Sequence, residues 1–176
     1  MLKAKDYDKI IVMENNKQTQ IIIAIIDKLR KDNHTISFAE SCTGGRLAAS
    51  FTTISGVSNV FNGSCVTYSN EIKHKWLNVD INVLEQFGAV SKECIEQMLS
   101  GIKKMANCDY AIAVSGIAGP TGATPTKPIG TVYIGMLSPN GNIVHHCLFE
   151  GDREAVQNAS VDFAIKLLAK ELKIIF

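Results

Sequence analysis

The order of strand-like and helix-like segments predicts an α/β protein, a three-layer α/β/α sandwich around a mixed, mostly parallel sheet of about five strands. Three observations predict it. Helical patterns separate the early strand-like segments, as crossover connections do; the late strands flank an Asn-Gly step, as a hairpin does; and 46% hydrophobic residues in a chain of 176 suffice for a sizeable core.

The elements follow in order. Gln18 to Arg30 sets Ile22, Ile25, Ile26 and Leu29 at helical spacing, which predicts an amphipathic helix. Thr35 to Ala39 reads as a short buried strand running into Glu40-Ser41-Cys42-Thr43-Gly44-Gly45, after which Arg46 to Thr53 reads as a helix. Cys65 to Tyr68 is β-prone, and Ser69-Asn70 then cap a short helix from Glu71 to Leu77. Ser91 caps a helix through about Ala106, whose apolar face is Ile95, Met98, Leu99, Ile102 and Met105. Tyr110 to Val114 is a continuous apolar strand ending in a proline- and glycine-rich loop, Ser115 to Pro128, long enough to suggest a binding or lid segment. Thr131 to Leu137 and Ile143 to Phe149 read as antiparallel strands around Pro139-Asn140-Gly141. Asp152 caps a last helix from Arg153 to about Leu172.

Composition narrows the function. Residues 1–176 read as one domain with an N-terminal extension over residues 1–13, and that extension carries Lys3, Lys5, Asp6, Asp8 and Lys9 where a secretion signal needs an apolar stretch. A formal charge of +1 provides no basic field for nucleic acid or an anionic membrane, and no apolar run approaches the ~20 residues that cross a bilayer. Five cysteines at wide spacing, without a C-x-x-C pair, predict free thiols and a cytoplasmic setting. No cluster of ligating residues suggests a metal, and no cofactor is expected.

Two segments carry chemistry. A serine at a strand-to-helix turn stands clear of the sheet while the following N–H groups face whatever it attacks, so the turn at Ser41 can supply both a nucleophile and an oxyanion hole. Ser41 and Thr43 are equally good helix caps, and the local sequence leaves both roles open. A serine needs a base, and the histidines are poorly placed: His34 lies in a polar turn, His74 on a short exposed helix, and His145-His146 alternate across a strand. That leaves a lysine, which acts as a base only if burial or a neighbouring cation lowers its pKa from ~10.4. Lys73 is the best placed, although spacing does not separate it from a solvated lysine such as Lys75. In the second segment, Gly116, Gly119 and Gly122 imitate a dinucleotide fingerprint, but Pro120, Pro125 and Pro128 forbid the helix that must follow. What remains is a loop of close-approach backbone and hydroxyls with Lys127, suited to a phosphate or ribose or else a plain surface excursion.

Six ordered motifs carry a resemblance: Ala39-Glu40-Ser41-Cys42-Thr43-Gly44-Gly45; Val66-Thr67-Tyr68-Ser69-Asn70-Glu71 with Lys73; Gly88-Ala89-Val90-Ser91; Val114 to Pro120; Lys127-Pro128-Ile129-Gly130-Thr131-Val132; and Gly151-Asp152-Arg153. Over roughly Ile21 to Leu172 the chain resembles the CinA C-terminal family, whose members include nicotinamide mononucleotide deamidases. It departs in Ile72 and Ile129, which replace smaller residues, and in Thr121-Gly122-Ala123, where many members have a second glycine.

The resemblance implies a metal-free amidohydrolase acting on a small-molecule nucleotide. Ser41 would be the nucleophile, Lys73 the base 32 positions on, and Tyr68 a group that relays a proton or orients the lysine. Thr43, Gly44 and Gly45 would form the oxyanion turn, and Ser115, Gly116, Gly119, Lys127 and Arg153 would contact ribose and phosphate. It also implies a homo-oligomer. Two rivals stand beside it: Cys42 as nucleophile with Glu40 and Lys73 around it, and a non-catalytic nucleotide-binding or competence-associated partner.

Overall fold

The computed structural model describes residues 4–175, with side chains from residue 17 onward; of the expected extension, residues 1–3 lie outside the described residues. The first helix, α1 (Ala4–Asp32), begins well before the expected Gln18 and buries Ile21, Ile22, Ile25, Ile26 and Leu29 along one stripe. Then follow β1 (Ile36–Glu40), α2 (Arg46–Thr52), a 3-10 turn at Val57–Asn59, and β2 (Phe61–Val66). Next come α3 (Asn70–Leu77), α4 (Ile81–Gln86), α5 (Lys92–Ala106) and β3 (Tyr110–Gly116). The chain closes with β4 (Thr131–Ser138), β5 (Gly141–Leu148) and α6 (Arg153–Glu171).

The five strands form one sheet in the order β2-β1-β3-β4-β5, with β1 parallel to β2 and β3, and with β4 antiparallel to both β3 and β5. Four strands therefore point the same way and β4 alone is reversed. Ile36, Phe38, Ile112, Val114, Val132 and Ile134 face a core shared with α1, α2 and α6. Ala39, Ala111 and Ala113 face the opposite core, filled by Leu77 of α3, Leu84 of α4 and Ile95, Met98, Leu99 and Ile102 of α5. The small alanines let α5 lie close over the sheet.

Two expectations need correction. The second strand is Phe61–Val66, so Thr67 and Tyr68 lie beyond its end. It is an edge strand whose sequence, FNGSCV, alternates half-buried and exposed residues, so its signal is weaker than that of the β-prone triplet after it. The strand β3 extends through Gly116, so the loop proper starts at Ile117. A Cβ on Gly116 would come within 3 Å of Val132 and the Thr131 carbonyl, which explains a glycine inside a strand.

The connection after β1 leaves along the α2 face, while the connection from β2 to β3 returns along the α3–α5 face. The chain diverges at the neighbouring carboxyl ends of β1 and β3, and open α/β sheets leave a crevice at such a point.

Candidate active site

A cleft of about 270 Å³ occupies that position, lined by Ser41, Cys42, Tyr68, Lys73, Ala89, Val90, Ser115 to Gly119, Thr121, Gly122 and Arg153. It begins where β1 ends. Glu40, the last residue of β1, turns to the α2 side and is fully buried. Its carboxylate accepts from Thr43 Oγ1 at 2.7 Å, Gly45 N at 3.0 Å, Leu47 N at 3.1 Å, Ala48 N at 2.9 Å and Ser64 Oγ at 3.3 Å. The N-cap residue of α2 is Gly45, at φ +94°, which has no side chain to cap with, so Glu40 satisfies the first turn of the helix from five residues upstream. That releases Ser41 from capping.

Ser41 is nearly enclosed, and its Oγ accepts from Lys73 Nζ at 3.1 Å. Lys73 lies on the inward face of α3 one turn before Leu77, in a helix capped by Ser69, whose hydroxyl accepts from Ile72 N at 3.2 Å. Only 1 % of Lys73 is exposed, and its second hydrogen bond goes to the carbonyl of Thr67 at 2.7 Å. Burial pulls its pKa below the ordinary lysine value. Lys75, which spacing could not separate from it, sits on the surface in an ion pair with Glu71.

Cys42 lines the cleft, but burial pushes its thiol up to about 12, which keeps it protonated and poorly nucleophilic. The histidines lie elsewhere. His74 pairs with the Val79 carbonyl, His34 packs against Tyr110, and His145 and His146 face opposite sides of β5 against Phe163 and Tyr133.

Tyr68 is 61 % exposed at the mouth of the cleft. Arg153, opening α6, donates from Nη2 to Tyr68 Oη at 2.7 Å and from Nη1 to the Gly119 carbonyl at 2.7 Å. The guanidinium thus ties the β2–α3 connection to the loop after β3 across the opening. Ser115 and Gly116 lie at the end of β3, and Gly119 lies in the loop at φ +83°.

Two sequence expectations need revision. The Gly44 N–H donates to the Ser41 carbonyl and the Gly45 N–H to Glu40, so two of the three amides expected at an oxyanion are spent inside the turn. Lys127 is not among the residues that line the cleft: its backbone pairs with Thr124, and its Nζ donates to the Phe87 carbonyl at 2.8 Å. Of two site-building residues, Glu40 was read only as a neighbour of Cys42 and Gln157 went unnoticed. Glu40 organises the turn as a cap, although its place before Ser41 was seen, and Gln157 of α6 donates from Nε2 to the Cys42 carbonyl at 2.6 Å. Nothing local to residue 157 signals that contact; only the helical step of four from Arg153 places both residues on one side of α6.

A larger open groove of about 880 Å³ between α1, α2 and α6, lined among others by Lys17, Arg46, Asp162 and Lys166, brings no nucleophile next to a base. Among the described residues, no group of three or more His, Cys, Asp or Glu side chains is placed to hold a metal ion, and no helix is long and apolar enough to cross a membrane.

Comparison with known proteins agrees with the fold. A CinA-like protein of Fervidobacterium nodosum is 47% identical over 146 residues, covering 83% of this chain and 36% of that protein. A CinA-like protein of Thermosipho melanesiensis is 41% identical over 174 residues, covering 98% of this chain and 42% of that protein. The chain thus spans about two-fifths of the length of the curated relatives it matches. Among solved structures, a competence-damaged protein (CinA) superfamily protein from Klebsiella pneumoniae superposes with a TM-score of 0.85 at 33% identity, over 89% of this chain and 98% of that one. The competence/damage inducible protein CihA from Agrobacterium tumefaciens gives 0.84 at 34%, over 89% and 95%. The CinA C-terminal domain model matches residues 18–172, from the described side chains of α1 through the end of α6, and the chain belongs to that family.

Proposed function

We propose that the domain is a nicotinamide-nucleotide amidase, hydrolysing the carboxamide of nicotinamide mononucleotide to nicotinate mononucleotide and ammonia in the recycling of pyridine nucleotides in the cytoplasm. The observation that carries the reading is the buried Lys73 Nζ at 3.1 Å from Ser41 Oγ. A lysine pushed toward its neutral form beside a serine hydroxyl is a nucleophile–base pair.

In the proposed reaction neutral Lys73 takes the Ser41 proton as Oγ bonds to the carboxamide carbon. The carbon–nitrogen bond then breaks, and the protonated lysine gives that proton to the departing nitrogen, which leaves as ammonia. Water attacks the resulting ester, Lys73 accepts one of its protons and returns it to Ser41 Oγ as the carboxylic acid departs, and that acid gives up its remaining proton to solvent or ammonia. The pyridinium of the substrate withdraws electrons from the carbonyl, and Lys73 serves the transfers to and from Ser41 Oγ. The Arg153 fork offers two donors to a phosphate at the cleft mouth, and Ser115, Gly116 and Gly119 supply hydroxyl and backbone for the ribose. Tyr68, hydrogen-bonded to Arg153, orients that guanidinium.

The test is to incubate purified protein with nicotinamide mononucleotide and assay ammonia. Ammonia release that depends on Ser41 supports the reading; nucleotide binding without release would favour the non-catalytic alternative.

A further inference from the structure

We infer that Lys127 is a positioning residue of this site: its side chain straps the loop after β3, which forms one stretch of the cleft lining, to the α4–α5 connection, which forms another, and so holds the two together around the nucleotide. The inference rests on the proposed amidase reading, whose substrate supplies the probe.

Two stretches of the lining belong to no helix or strand. Ala89 and Val90 lie between α4 and α5, and Ile117 to Gly119, Thr121 and Gly122 lie in the loop after β3. The base of that loop is pinned to itself and to β4: Ile117 N–H donates to the Thr131 carbonyl at 2.8 Å, and Gly130 N–H to the Ile117 carbonyl at 2.8 Å. Its tip is a small turn in which Thr124 and Lys127 exchange backbone hydrogen bonds of 2.9 and 3.2 Å. Residues 121–126 are all exposed, so packing does little to hold the tip in place. Among the described residues, two side-chain hydrogen bonds tie the loop to other parts of the fold. One runs from Arg153 to the Gly119 carbonyl at 2.7 Å, the other from Lys127 Nζ to the Phe87 carbonyl at 2.8 Å.

The two ties differ in what the substrate does to them. Arg153 lines the cleft and is the guanidinium offered to the phosphate, so binding draws on the donors that hold Gly119. Lys127 is no part of the lining, and its bond to Phe87 does not compete with an occupant of the cleft. The anchor at the far end is firm. Phe87 caps the C-terminal end of α4, where carbonyls lack intrahelical donors and a lysine ammonium is a favoured partner. A Cβ on Gly88 would lie 3.9 Å from Lys127 Nζ, so the ammonium rests against the backbone of the connection. Ser91 Oγ donates to the Gly88 carbonyl at 2.8 Å, which fixes that connection to the start of α5, and Ala89 and Val90 lie between the two. Without the strap the loop keeps its base but loses this anchor, and ordering its lining residues again is a cost that substrate binding has to meet.

The experiment compares the full chain with Lys127→Met, close in length but without a donor, with Lys127→Arg, which restores one, and with Lys75→Met, which removes the same charge from an exposed ion pair on α3. For nicotinamide mononucleotide, Lys127→Met is expected to raise KM about three- to tenfold, the order of one hydrogen bond, with kcat changed less than about twofold. Lys127→Arg should recover most of the loss, and Lys75→Met should match the wild type. The kcat/KM for nicotinamide riboside should fall by the same factor, because a strap serves any occupant of the cleft, whereas a phosphate contact serves only the mononucleotide. Limited digestion with proteinase K in the absence of substrate reads the loop directly: Lys127→Met should be nicked within residues 121–126 faster than the wild type, and Lys127→Arg should not. An unchanged KM, a loss confined to the mononucleotide, an equal loss in Lys75→Met, or unchanged nicking would overturn the inference while leaving the amidase reading intact. A wild type that releases no ammonia would overturn that reading, and the inference with it.

Discussion

Lys73 reaches Ser41 Oγ from inside the protein, and the other hydrogen bond of its nitrogen ends on the Thr67 carbonyl rather than on a carboxylate. An ammonium paired with a carboxylate would be held in its charged form; one desolvated between two uncharged acceptors is held less firmly. This separates a base from a structural ion pair.

Ser41→Ala is expected to fold and to lose at least about a thousandfold in activity, because a covalent route disappears with its nucleophile. Cys42→Ala should keep most of its activity, since the thiol sits near 12. Parallel kinetics of the two variants decide the point: an active Ser41→Ala beside a dead Cys42→Ala would reverse the assignment.

Lys73→Arg should be nearly as damaging as Lys73→Ala, because a guanidinium restores charge but does not give up its proton. The wild-type rate should rise with pH as the lysine deprotonates. Stability carries the same signature. Between its lowered folded pKa and the ordinary value of 10.5, the unfolded chain binds this proton more readily than the folded one, so stability rises with pH through that window. In Lys73→Met the rise should be smaller and stability at neutral pH higher, as the difference between urea midpoints measured from pH 7 to 10 will show. An active arginine variant would move the base elsewhere, with Tyr68 the next suspect.

Glu40→Gln places an amide, itself half donor, where five donors converge. At least two would lose a good acceptor, and hydrogen bonds to a charged group contribute about 1.5–3 kcal/mol each. A loss of about 3 kcal/mol or more is expected, roughly 6–12 °C in melting temperature for a chain of this size. Calorimetry on the two proteins measures it, and an unchanged midpoint would show that the cap is dispensable.

Arg153→Ala should raise KM for nicotinamide mononucleotide far more than it disturbs folding. Nicotinamide riboside, which lacks the phosphate, should be a poor substrate for the wild type and no worse for the variant. Equal losses on both would mean that the guanidinium serves only as the brace between Tyr68 and Gly119.

The parts that were legible in the sequence are those whose signals are local. Strands β1 and β3 are continuous apolar runs, and Asn-Gly marks the turn between β4 and β5. The helix α4 passed unnoticed because it has six residues and buries only Leu84. Within the site, Ser41 announced itself by its turn, but Lys73 parts from Lys75 only through burial, which depends on how α3 rolls against α5. Lys127 looked like a phosphate contact until a two-residue turn with Thr124 carried it to Phe87. Gln157 contacts a backbone atom 115 residues away, and no short-range pattern encodes such a pair.

Glu40 and Ser41 close the first strand, Lys73 rides on the third helix, Gly119 follows the third strand, and Arg153 and Gln157 open the last helix. A fragment cut anywhere between the first strand and the last helix would therefore lose a working part along with a layer of packing. Evolution can graft this unit beside other domains only whole, so that within longer proteins of the family the domain should travel as an indivisible cassette and tolerate insertions only in loops remote from the ends of β1 and β3.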